Sequence, residues 1–152
     1  MKSISIKYGF WTGVALIAYF LVLRLVNLHE YVVLSAVNGI IFGLGIYYTI
    51  RAVQEDASNK EYEVGFASGM TSGSIATGLL TIFMAIYMYQ IDPEFSRTVM
   101  ERWNMEESLS TSMLVLAILT MGSATTLVLT LTIMQLLKPS WNTKEGEKHT
   151  LR

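Results

Sequence analysis

Gly65-Phe-Ala-Ser-Gly-Met-Thr-Ser-Gly-Ser-Ile-Ala-Thr-Gly78 is the stretch whose reading decides the fold. Glycines at 65, 69 and 73 recur every four residues, so on a helix they stack as a stripe without side chains. Ser68, Ser72 and Ala76 run beside that stripe at the same spacing, and only Phe66, Met70 and Ile75 are bulky. In water each glycine costs a helix about 1 kcal/mol relative to alanine. Inside a bilayer the same small residues let helix backbones approach closely. The stretch therefore predicts a membrane helix built for close packing, a glycine zipper.

Composition points the same way. The chain has 152 residues, 52% hydrophobic and only 15% charged, with a mean hydropathy of +0.43. Soluble domains carry about 25% charged residues. There is no cysteine, which excludes disulfides, thiolate metal sites and cysteine nucleophiles. A net charge of −1 gives no reason to expect nucleic acid.

Four apolar spans are expected, at about 8–26, 31–50, 64–91 and 109–137. About 20 helical residues cross a ~30 Å hydrocarbon core, so the third and fourth must tilt or extend beyond the membrane. Lys2 and Lys7 ahead of the first span resemble the start of a signal peptide. No small-x-small cleavage site follows, and Arg24-Leu-Val-Asn27 leads into the second span, so the first reads as an uncleaved helix. Asn27 to Glu30 is a tight connection, and the first two spans should form an antiparallel hairpin.

Four spans place the N-terminus, the loop Arg51–Glu63 and the C-terminal tail on one side. That side holds Lys2, Lys7, Arg51, Lys60, Lys138, Lys144, Lys148 and Arg152; the other holds Arg24, Arg97 and Arg102. The excess predicts both termini in the cytoplasm, and the polar stretch 139–152 is read as a cytoplasmic tail. Trp11, Tyr47, Tyr48, Tyr62 and Trp141 fall near the inner interface, and Tyr31, Tyr87, Tyr89 and Trp103 near the outer one. Asp92-Pro93 is a helix start, with Asp as N-cap and Pro in the first position. Phe95, Val99 and Trp103 then repeat every four residues. A short amphipathic outer interfacial helix between spans three and four is expected, lying on the membrane surface or folded over the bundle mouth. The fold class is thus all-α, a four-helix transmembrane bundle.

This order of features resembles the domain-of-unknown-function family 4199, small four-span membrane proteins of Bacteroidetes. Lys7-Tyr-Gly9 opens the first span, and Gly-Ile-Tyr-Tyr from Gly45 to Tyr48 ends the second. Phe66, Gly69 and Gly73 pattern the third, and Asp92-Pro93 closes it. The family's inner loop is usually more basic than this one, which holds Glu55, Asp56, Glu61 and Glu63. The resemblance implies the topology and the source and assigns no activity.

Catalytic signatures such as HExxH, GxSxG, a P-loop or GxGxxG are absent from the sequence. His29 and His149 sit in a turn and a tail without a ligand set around them, so neither a metal nor a cofactor is expected. Helix-packing faces are expected at Gly9 and Gly13 of span one, Gly39 and Gly43 of span two, and Gly65, Gly69 and Gly73 of span three. Such faces serve either a homo-oligomer or membrane-protein partner, or the interior of the bundle; three matching faces in one chain can satisfy one another, which favours the interior. Thr120, Thr125, Thr126, Thr130 and Thr132 of span four can bond back to their own helix. An ionisable residue within a span is a functional candidate by default. Arg24 is the one to weigh, a turn from the outer end of span one, where it can snorkel to water or to a carboxylate such as Glu30. Asn38 could bond across a close helix contact beside Gly39.

The sequence thus predicts an inner-membrane protein that is not an enzyme, with the lipid bilayer as its certain neighbour. Its expected role is that of a non-catalytic accessory or scaffold subunit. The alternative is a small carrier or lipid-handling protein with a groove lined by Ser68, Ser72, Thr71 and Asn38.

Overall fold

The computed structural model describes residues 2–26, 32–56, 62–102 and 111–138. Helices α1 (Lys2–Leu25), α2 (Val32–Asp56), α3 (Tyr62–Ile86), α4 (Pro93–Arg102) and α5 (Thr111–Leu136) follow in order, with a wide π turn at Tyr87–Ile91 joined to the end of α3. Four helices are long and apolar enough to cross a membrane: α1, α2 over Ala36–Glu55, α3 with its π turn, and α5. The chain is a multi-pass membrane protein of the all-α class. The connection at 27–30, Trp103 and the tail from 139 onward lie outside the described residues, as do the readings made for them.

The helices outrun the apolar runs that predicted them. α1 begins at Lys2 rather than near Tyr8, and α2 continues to Asp56, past Ile50. Backbone hydrogen bonding is free to continue into polar sequence until a breaker intervenes, and Pro139 is one such breaker after α5. One end of the bundle, here the terminal end, gathers the start of α1, the end of α2, the start of α3 and the end of α5; the opposite end is the far end.

α3 is the hub and packs against α1, α2 and α5. The core of the terminal half and middle is formed by Leu16, Phe42, Ile46, Ile50, Ala76, Ile133 and Met134. A second cluster at the far end is built on Met84, Met88 and Leu114. α4 spends its apolar face there: Phe95, Val99 and Met100 pack against that cluster with Phe20 and Phe83. This packing is what folding over the bundle mouth, one of the two expected placements, requires.

Candidate functional site

The glycine stripe of α3 has a definite register against α5. A Cβ at Gly65 would lie 2.8 Å from Met134 Sδ, and one at Gly69 would lie 2.7 Å from Thr130 Cγ2. One at Gly73 would collide with Thr126. One turn further the roles reverse, and a Cβ at Gly122 would lie 2.5 Å from Thr77 Cγ2. Each step of four along α3 is answered by a step of four back along α5, as antiparallel helices require. Glycine is the hole and threonine the knob at three of these four levels.

The face of α3 turned to α1 is also small. A Cβ at Gly9 would lie 2.6 Å from the Ser72 carbonyl oxygen, and one at Gly13 would lie 3.0 Å from Leu79 Cδ1 and 3.3 Å from the Ala76 Cα. These helices run parallel, so a constant offset of 63 residues carries the register upward through Phe20 against Phe83 to Arg24 against Tyr87. α2 closes the core by setting Gly45 against Thr12 of α1. Thr49 Oγ1 and Ser72 Oγ share a hydrogen bond of 2.9 Å across the α2–α3 contact.

Gly39 and Gly43 behave differently. Among the described residues nothing lies within 4 Å of a Cβ at Gly39, and Gly43 reaches only Leu129 Cδ2 at 3.8 Å. Asn38 forms no bond across a contact there: its Oδ1 is buried without a hydrogen-bond partner among the described residues. Ser68 is buried and donates to Gly65 O within its own helix. Thr71 faces outward and donates to Ala67 O. Ser68, Ser72, Thr71 and Asn38 therefore do not share one lining.

Most threonines of the spans satisfy themselves. Thr120, Thr125, Thr126 and Thr132 donate to carbonyls four residues back in α5. Thr81 and Thr130 are exceptions, both buried with Oγ1 unpaired among the described residues, and Thr130 packs against Gly69.

The concentrated polar chemistry lies at the far end. Arg24, in the last turn of α1, pairs through Nη2 with Asp92 Oδ2. Its Nε donates to Tyr87 Oη at 3.1 Å, and that hydroxyl donates onward to Asp92 Oδ2 at 3.4 Å. Asp92 Oδ1 meanwhile accepts the Phe95 N–H at 3.1 Å, the expected N-cap bond of α4. One carboxylate thus starts α4 and ties it to α1 and α3. The π turn makes this reachable, because Asp92 N–H returns to Tyr87 O at 2.8 Å and folds the chain back over the bundle. Phe95 completes the enclosure, its ring 5.5 Å below the Arg24 Cζ and edge-on to both Phe20 and Tyr87. The pair is half-buried, with side-chain exposures of 32% for Arg24 and 20% for Asp92.

Sequence reading located Arg24 and missed its partners. Among the described residues the carboxylate it meets is Asp92, which was read only as a helix cap; Glu30 lies outside them. Tyr87, read as a member of the outer aromatic belt, is 5% exposed and sits beneath α4. The available signal was one basic residue closing span one and one acidic residue closing span three, on helices predicted to run parallel.

A family model described as "Protein of unknown function (DUF4199)" matches residues 7–138. No curated protein and no solved structure matches the chain.

Proposed function

The chain belongs to this family of unknown function, and we propose that it is a non-catalytic accessory or scaffold subunit of the cytoplasmic membrane, with both termini in the cytoplasm. Orientation rests on the basic residues, eight on the terminal side against three on the far side.

The observation that carries the role is the uneven use of glycine. Gly9, Gly13, Gly65, Gly69 and Gly73 are filled by neighbouring helices; Gly39 on α2 and Gly78 on α3 have nothing against them among the described residues, and of these two Gly39 is the exposed one. A helix-interior glycine without a packing neighbour is a cost without return, and a second helix seated there would supply the return. Ala36, Ile40 and Leu44 share that exposed face of α2. The partner is a membrane helix, from another protein or from a second copy. The carrier alternative receives less support, because Ser68 and Ser72 are engaged inside the packed bundle.

The cysteine-free chain makes the test direct. Single cysteines at Ile40 and at Leu116, both 61% exposed, on α2 and α5 respectively, are crosslinked in native membranes. The proposal expects a discrete adduct from Ile40→Cys and none from Leu116→Cys. Equal crosslinking from both, or from neither, would count against it.

A further inference from the structure

We propose that the Arg24–Asp92 pair is a docking site for the headgroup of a zwitterionic phospholipid bearing a primary ammonium, that is, a phosphoethanolamine headgroup. The site is placed for lipid. Arg24 closes α1 and Asp92 follows directly on the third span, so the pair stands where the hydrocarbon ends and headgroups begin. It is also accessible, since a third of the Arg24 side chain and a fifth of the Asp92 side chain remain exposed although α4 covers the apolar cluster beside them.

Charge selects the ligand class. The site presents one cation and one anion side by side, held in fixed order by Tyr87 and by the N-cap bond to Phe95. An anionic headgroup would be attracted by Arg24 and repelled by Asp92. A phosphoethanolamine lying alongside the pair in the opposite sense sets phosphate on guanidinium and ammonium on carboxylate, so both contacts attract. Guanidinium suits phosphate through its planar fork of N–H donors. The carboxylate suits a primary ammonium, which donates hydrogen bonds; a quaternary ammonium has no N–H and cannot.

The test places the full chain in nanodiscs of equimolar phosphatidylethanolamine, phosphatidylcholine and phosphatidylglycerol with identical acyl chains, and reads retained lipid by native mass spectrometry after release. Phosphatidylethanolamine should be retained roughly tenfold over phosphatidylcholine, the size of one charge-assisted hydrogen bond. Arg24→Gln and Asp92→Asn should each abolish the preference; asparagine keeps the cap of α4, so this loss reports charge rather than unfolding. Circular dichroism and elution volume establish that each variant is folded, and if one fails the other carries the test. Retention in proportion to supply, or a preference that survives both variants, overturns the proposal. Dominant phosphatidylglycerol would overturn it too, showing a phosphate site on Arg24 alone.

Discussion

Along the α3–α5 seam, small residues face threonine and methionine side chains at four successive levels, and the fit is steric. At the far end Arg24, Tyr87 and Asp92 join α1, the π turn and the start of α4 through charge and hydrogen bonds. The seam has no room: even a methyl group at Gly73 meets Thr126. The far-end cluster is built on Met84, Met88 and Leu114, with Met100 and aromatic rings packed against it, and methionine fills irregular space without fixing it. Lipid tails are as apolar as leucine, so burial alone cannot hold helices together in a bilayer. Close backbone approach supplies the association in one region, and an ion pair at the boundary orients a surface helix in the other.

The largest expected effect breaks the steric side of this contrast. Gly9→Leu should abolish the folded monomer, because the added Cβ meets the Ser72 backbone oxygen at 2.6 Å, which no rotamer change relieves. Overpacking commonly costs about 1–3 kcal/mol, and a backbone collision costs more; loss of the unfolding transition in detergent checks it. Arg24→Gln tests the polar side and should cost about 1–2 kcal/mol, between the values typical of exposed and of buried pairs. A double-mutant cycle with Asp92→Asn isolates the coupling, and additive effects would remove the pair from the account. Ser72→Ala should cost about 0.6 kcal/mol, the average for an interhelical hydrogen bond in a membrane protein, read from the same unfolding curve. Gly39→Ala should change little and raise stability by at most about 1 kcal/mol. It sharpens the contrast by showing that a glycine outside the seam can be replaced at no cost.

The same contrast explains what could be read from sequence. The spans, the hub helix and the Asp92 cap were legible because each is local: an apolar run, a four-residue spacing, a residue before proline. The interior use of Gly9, Gly13 and the α3 stripe could be expected from the repetition of matching faces within one chain. Which residue fills each glycine depends on register between helices, and this hid the roles of Thr12 opposite Gly45 and Thr77 opposite Gly122. Gly39 carries the same local pattern as Gly9, yet it lies on the outward side of α2, and spacing alone does not tell the two sides apart. The Arg24 site was half legible for the same reason. A charge near a span end stands out in sequence, but its pairing with Asp92 spans 68 residues and depends on the π turn.

The central claim is that the α3 stripe is the internal seam of one bundle. Gly73→Leu and Gly39→Leu, compared by thermal unfolding and by mass in mild detergent, test it most directly. The account predicts that Gly73→Leu destroys the folded monomer while Gly39→Leu leaves it folded and alters only assembly. A folded Gly73→Leu monomer that has merely lost its oligomers would contradict it.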